Sequence, residues 1–282
     1  MEEIIKKENS PEMLKVQFAA GYHYNRAEVL SYWVWGLCII SNLLVFLPKH
    51  FPELLKYLIP LAIDTLAALL HASFLKNINI ASHLRKYFDA IVLDISVDSF
   101  DTGEIQKLKE IAENAREKQV EQAEIQMNNS GVDNPPGVKD WYIIPPESKE
   151  DDGVFLCQRE NAWWDTRLFR KGLIFDITMA VAFLAITATI FFVLPNRHEQ
   201  IFICLIGLLL KFFEYFYHLI QYVNISKKIS GALTVLDKNR TPENRESLQN
   251  LINLKRSLPV VGKNRFHKRY AREYTNMVKT TF

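Results

Sequence analysis

Leu173-Ile-Phe-Asp-Ile-Thr-Met-Ala-Val-Ala-Phe-Leu-Ala-Ile-Thr-Ala-Thr-Ile-Phe-Phe-Val-Leu194 is the stretch on which the fold turns. Its only charge, Asp176, lies near the start, and none follows from Ile177 to Leu194. A hydrocarbon core about 30 Å thick takes roughly 20 apolar residues of helix at about 1.5 Å each, and this block has that length. A helix of a soluble core would keep a polar stripe instead. Three more windows, 29–47, 54–75 and 200–222, are of the same kind. The chain therefore reads as an all-α integral membrane protein with four transmembrane helices in two hairpins. Its averages, 49% hydrophobic and a net charge of +2 over 282 residues, conceal this, because the apolar residues are concentrated in blocks.

The first block follows 28 mostly polar residues, so it reads as an uncleaved anchor rather than a signal peptide. Cys38 and Cys204 lie inside apolar blocks and Cys157 stands alone in a polar segment, a pattern that suggests no disulfide framework. The hairpin tips, 48–53 and 195–199, hold only Lys49 and Arg197. Segments 1–28, 76–172 and 223–282 carry 4, 13 and 13 Lys and Arg, 30 of the 34 in the chain. Positive residues stay on the cytoplasmic side, which predicts cytosolic termini and a cytosolic central loop. The expected organisation is an N-terminal cytosolic helix (1–28), a first hairpin (29–75), a cytosolic helical region (76–172), a second hairpin (173–222) and a basic helical tail (223–282).

Within the polar segments, Ser10-Pro11-Glu12 reads as a capped helix start. Ile105, Leu108, Ile111, Ala115, Val120, Ala123 and Met127 recur at helical spacing and predict one amphipathic helix from Asp101 to Met127. A turn-rich linker follows at 128–137, another helix is expected over about 154–171, and Thr241-Pro242 caps a helix bearing Leu248, Leu251, Ile252 and Leu258. No alternating pattern argues for a sheet.

No glycine-rich phosphate loop, His-Glu-x-x-His or other enzyme signature is present, so no catalytic residue and no metal ligand is nominated. Ionisable residues inside the membrane blocks are more informative. Asp64, Asp176, Lys211 and Glu214 each cost about 2.5–3.5 kcal/mol at mid-bilayer. Asp64 and Lys211 are expected at similar depth, and Lys211 can meet Glu214 one turn along its own helix. These four residues are candidates for a polar ion path; the alternative is an ion pair that fixes helix packing. His71 and His218 also match in depth and read as interfacial. The densest polar constellation is Cys157-Gln-Arg-Glu-Asn-Ala-Trp-Trp-Asp-Thr-Arg167, preceded by Lys139-Asp-Trp-Tyr142. Arg159, Trp163 and Arg167 share a helix face at four-residue intervals, an arrangement suited to stacking a base while gripping phosphate. Trp141, Tyr142 and Trp164 join them as candidate ligand contacts. The alternative is an aromatic and basic collar at the membrane entry.

These residues carry a resemblance. Leu14-Lys-x-x-x-Ala-Ala, the two hairpins, Lys139-Asp-Trp-Tyr142, Cys157-Gln-Arg-Glu-Asn-Ala-Trp-Trp-Asp165 and Arg256-Ser-Leu-Pro-Val260 resemble the SMODS-associating four-transmembrane effectors of bacterial anti-phage systems. Near the amino terminus the chain departs from that pattern, with Ala20-Gly-Tyr-His where the family tends to have Ala-Gln-Arg. The resemblance implies a CBASS effector of the bacterial inner membrane, not an enzyme, encoded beside a cGAS/DncV-like nucleotidyltransferase. The implied ligand is a cyclic di- or oligonucleotide second messenger, and no cofactor and no nucleic-acid polymer is implied. The expected action is ligand-driven homo-oligomerisation in the lipid bilayer, membrane permeabilisation and abortive infection. The rival readings are a membrane-anchored scaffold for a cytosolic partner and a small ion channel or transporter outside defence.

Overall fold

In a computed structural model the described residues are 2–48, 50–96, 99–143, 150–193, 198–260, 269–270, 272–274 and 276–277; within 150–200 many side chains fall outside the description. The described residues form helices α1 (Glu2–Glu8), α2 (Pro11–Leu43), α3 (Glu53–Leu93), α4 (Thr102–Lys118), α5 (Val120–Asn128), α6 (Glu150–Val193), α7 (His198–Lys238) and α8 (Pro242–Arg256), with a 3₁₀ turn at Leu44–Phe46 and no strand.

Ser10 caps α2 as its sequence predicts: the Ser10 hydroxyl accepts the Met13 N–H at 3.4 Å and Pro11 takes the first helical position. Thr241 does the same for α8, accepting the Asn244 N–H at 3.3 Å. At the far end of α3, Asp94 adopts the left-handed conformation and its N–H closes on the Ala90 carbonyl.

Three helical stretches, Pro11–Phe46, Glu53–Leu93 and Ile201–Lys238, are long and apolar enough to cross a membrane. At about 1.5 Å per residue, the 41 residues of α3 extend about 62 Å, twice a hydrocarbon core. The helices present large apolar side chains outward, among them Trp33 at 62%, Leu61 at 60% and Phe213 at 68% exposure. Such a band is unfavourable in water and favourable against lipid. The fourth predicted crossing lies within α6, which runs unbroken where the sequence suggested a polar helix followed by a membrane one. Several side chains of its 173–194 stretch, Asp176 included, lie outside the described residues.

Helices α2 and α3 pack antiparallel. His23 Nδ1 lies 2.8 Å from Asn77 Oδ1, and Ala27 packs with Phe74 and Ile78. Helix α7 lies along both. Val34, Cys38 and Val45 of the first hairpin share a core with Ala67 of α3 and with Ile201, Cys204, Leu205 and Leu208 of α7. Two paired positions fix the direction of α7 against α3: Asp64 abuts Gly207, and His71 bonds Glu214 seven residues further along both helices. They run parallel.

Beyond the apolar band, α1, the start of α2, the end of α3, α4 and the start of α6 enclose a second core around Val16, Leu84, Phe88, Leu108, Tyr142 and Cys157. The single amphipathic helix predicted over 101–127 is two helices. Gln119 leaves the helical region at φ −144°, ψ 56° and separates α4 from α5. The break lets Leu108, Ala112 and Ala115 of α4 and Ala123 of α5 all be buried, while Val120, placed by periodicity on the same stripe, is 44% exposed. A third core joins Phe155 and Ala162 of α6, Ile225, Ile229 and Leu236 of α7, and Leu248 and Ile252 of α8.

Candidate functional site: two buried polar networks on one helix

The first network lies inside the membrane band between α3 and α7. Lys211 Nζ donates to Glu214 Oε2 at 3.0 Å and to His71 Nδ1 at 2.9 Å. Lysine has no acceptor, so His71 Nδ1 must accept and the ring proton sits on Nε2. That Nε2 donates to Glu214 Oε1 at 2.7 Å. The three side chains thus close a ring of hydrogen bonds with Lys211 charged, Glu214 charged and His71 neutral. The His71 ring stacks on Phe74, with centroids 5.3 Å apart. In hydrocarbon a lone charge would be costly, and a ring with net charge zero avoids that cost.

Asp64 lies about two helical turns nearer the hairpin tips than His71. A Cβ on Gly207 would fall 2.6 Å from Asp64 Cγ, so only glycine lets the carboxylate lie against α7. Ser41 flanks it from α2. Asp64 Oδ1 and Ser41 Oγ are nonetheless both buried without a hydrogen-bond partner.

The second network sits in the polar half, about 27 Å further along α3, and its centre is Asp89, 1% exposed. Asp89 Oδ2 accepts from Arg256 Nη1 at 2.6 Å and from Gln249 Nε2 at 2.7 Å. Oδ1 accepts the Tyr142 hydroxyl at 2.8 Å, and that hydroxyl accepts from Asn161 Nδ2 at 2.9 Å. Gln158 Nε2 donates to Gln249 Oε1 at 3.1 Å and to the Arg245 carbonyl at 2.9 Å. The backbone N–H groups of Tyr142 and Ile143 donate to Glu8 Oε2 at 3.0 Å and to Glu160 Oε2 at 2.9 Å. One carboxylate at the end of α3 therefore draws in α6, α8 and the 140–143 segment, and that segment ties in α1.

Burial sets the protonation of this hub. Desolvation pushes the Glu8 carboxyl up to about 8 and that of Glu160 to about 7, against the backbone N–H bonds that favour their ionised forms. The Cys157 thiol is raised well above its usual range, by burial first and then by Glu160. A thiol held protonated in this way is a packing group and a poor nucleophile.

The residues nominated from the sequence separate into distinct places. Lys211 and Glu214 meet as expected from their spacing, but Asp64 is a turn away from Lys211 and makes no ion pair with it. The Asp176 side chain lies outside the described residues. Among the ligand candidates, Trp163 and Arg167 are brought together, with the guanidinium carbon 4.3 Å from the indole centroid. Trp163 and Trp164 meet edge-on and both pack against Tyr274 of the tail, at 5.7 and 5.5 Å. Arg159 is exposed on the same helix. Trp141 is elsewhere, stacked under Arg85 at 4.1 Å. Tyr142 does not fit the role of a base-stacking residue: its ring is buried against Phe88 and its hydroxyl is taken up by Asp89 and Asn161. Most of the basic tail at 261–282 lies outside the described residues.

His71, Asp89, Glu8 and Gln249 were not among the residues nominated from the sequence. His71, read as interfacial, is part of the intramembrane ring; the signal was a histidine within a membrane window that also faces a chain bearing Lys211 and Glu214. Asp89 carried no signal of its own. Among the described residues, no group of three or more His, Cys, Asp and Glu is placed to hold a metal ion.

The stretches that distinguished this sequence converge on the hub. Tyr142 comes from Lys139-Asp-Trp-Tyr142, Gln158, Glu160 and Asn161 from the Cys157–Asp165 block, and Arg256 opens Arg256-Ser-Leu-Pro-Val260. No curated protein and no solved structure matches the chain. A family model does, over residues 2–277, that of the SMODS-associating 4TM effector domain. The match covers nearly the whole length and takes in both polar networks, and the chain belongs to the family of SMODS-associating 4TM membrane effectors.

Proposed function

We propose that this chain is the membrane effector of a CBASS-type anti-phage system, which binds a cyclic nucleotide at its cytosolic half, oligomerises and permeabilises the inner membrane. The observation that carries this reading is the continuity of α3, which bears the Asp89 hub at one end and the His71 position of the intramembrane ring at the other. A change in how α6 and α8 sit on the hub can thereby be passed to the α3–α7 seam without a flexible joint.

The parallel run of α3 and α7 supports four crossings. A chain that leaves the membrane through α3 and traverses it again in the same direction through α7 must recross in between. The 44-residue α6 supplies the length. With the Lys and Arg bias this supports a cytosolic position for both termini, the hub and the Trp163–Arg167 face, where a nucleotidyltransferase would make its product. Trp163, Trp164, Arg159 and Arg167 would meet bases and phosphates there, with Trp141 at a separate place. The ring is closed within one chain, and a bundle this small encloses no wide pore. Opening would part α3 from α7 and offer Asp64, His71, Lys211 and Glu214 to a path shared between subunits.

Dye release from proteoliposomes, with a panel of cyclic nucleotides added to the protein's cytosolic side, tests this reading. Release that saturates with one of them is the expected result. Vesicles that stay sealed across the panel would refute it. Retention of toxicity in a Lys211→Met, Glu214→Gln double variant that still inserts would favour the scaffold reading instead.

A further inference from the structure

Arg85 and Arg256 both lie beside Asp89, so this one carboxylate faces two guanidinium groups. Arg256 takes that carboxylate at 2.6 Å. Two more of the acceptor positions of Asp89 go to Gln249 and Tyr142. Arg85 is left with no hydrogen bond and no ion pair among the described residues; its guanidinium carbon stacks 4.1 Å from the centroid of the Trp141 ring.

A guanidinium carries five N–H donors in a fixed fork. Withdrawing it from water without an acceptor is costly, and the like charge of Arg256 adds to that cost. Burial, and after it Arg256, lowers Arg85 to about 10. The residue as a whole is half-buried. Trp141 holds the guanidinium plane by stacking and leaves its edge donors unspent.

We propose that Arg85, held on Trp141 and neighboured by Arg256, is a binding site for a phosphate group of a small ligand. Planar bidentate donors match the oxygens of a phosphate monoester or diester. The anion supplies the counter-charge that the hub lacks, and it competes with Asp89 for Arg256. Binding therefore loosens α8 from the end of α3. The site lies apart from the Trp163–Arg167 face, and it rests on the effector reading only for the source of the phosphate. A cyclic nucleotide and a lipid headgroup present the same chemistry.

The test is a titration of the full chain in phosphatidylcholine nanodiscs with pyrophosphate and with a panel of cyclic dinucleotides, comparing wild type, Arg85→Gln and Arg85→Lys. A parallel arm compares melting in phosphatidylcholine nanodiscs with and without phosphatidylglycerol. Saturable phosphate binding weakened about tenfold or more by Arg85→Gln is expected, from the strength of a charge-assisted hydrogen bond. Arg85→Lys should recover part of it, since a point charge remains without the fork. Melting of each variant without ligand checks that it folds. Equal pyrophosphate binding by wild type and Arg85→Gln overturns the proposal, as does an absence of saturable binding to every phosphate probe. A cyclic dinucleotide that binds Arg85→Gln at full affinity removes the site and leaves the effector reading standing. Arg85-dependent binding of pyrophosphate with no cyclic dinucleotide bound keeps the site and counts against the effector reading. An Arg85-dependent response to phosphatidylglycerol alone keeps the site and assigns it to a headgroup.

Discussion

The hub around Asp89 and the ring around Lys211 are both polar networks in which α3 takes part, yet they are built in opposite ways. The ring uses three side chains from two helices and closes on itself, with each charge answered inside it. The hub gathers groups from α1, α3, α6, α8 and the 140–143 segment around one carboxylate, and it leaves a guanidinium unanswered. In hydrocarbon nothing outside the protein can complete a polar group, so the ring must be self-sufficient. At the polar end an incomplete network can persist because solvent or a ligand finishes it. A closed ring suits a seal, and an open hub suits a sensor.

The largest effect should come from breaking the hub. Asp89→Ala takes an acceptor from Arg256, Gln249 and the Tyr142 hydroxyl at once, and removing one partner of a buried pair costs about 3–5 kcal/mol. Melting of the full chain in nanodiscs checks this; a loss below about 1 kcal/mol would mean that the hub anchors nothing.

Next is the pH response of the hub. Glu8 and Glu160 are raised to about 8 and about 7 from an ordinary 4.5, so the folded state binds more protons than the unfolded one across that window. Their contribution is present below pH 4.5 and is lost as pH rises through about 7 and 8. The melting temperature should therefore fall between pH 5 and pH 9, and a Glu8→Gln, Glu160→Gln variant should flatten that fall. An unchanged slope in the variant would assign the dependence to other groups.

Glu214→Gln removes one charge from the ring while keeping its shape, and leaves the Lys211 ammonium with His71 alone. A cost of about 2–3 kcal/mol is expected, and Lys211→Met in the same chain should recover much of it. Additive losses in the double variant would contradict a closed ring. The smallest effect is Gly207→Ala, where the added methyl meets the Asp64 carboxylate, at about 1 kcal/mol. Asp64→Ala should suppress it, and failure to do so would place Asp64 away from α7.

The two networks also differ in how far the sequence disclosed them. Charges stand out against a membrane background, so Lys211 and Glu214 were legible from spacing alone, and so were the apolar helices and the caps at Ser10 and Thr241. His71 was misplaced because depth along one helix does not say which residue of another helix faces it. Asp89 was invisible for a related reason. Tyr87-Phe-Asp89-Ala reads as an ordinary turn of an amphipathic helix, and its partners are 53, 160 and 167 residues away. The Cys157–Asp165 block was conspicuous, but its chemistry divides. Gln158, Glu160 and Asn161 turn inward to the hub, while Trp163 and Trp164 pack on Tyr274. The break at Gln119 was also hidden, since the apolar spacing continues through it.

The central claim is that α3 joins hub and ring into one device, and hydrogen exchange tests it most directly. The full chain in nanodiscs is compared with its Asp89→Asn variant, following exchange along α7. Faster exchange around Lys211 and Glu214, about 27 Å from the substituted carboxylate, is the predicted result. Acceleration confined to α8 and the start of α6, with α7 unchanged beside the ring, would contradict it.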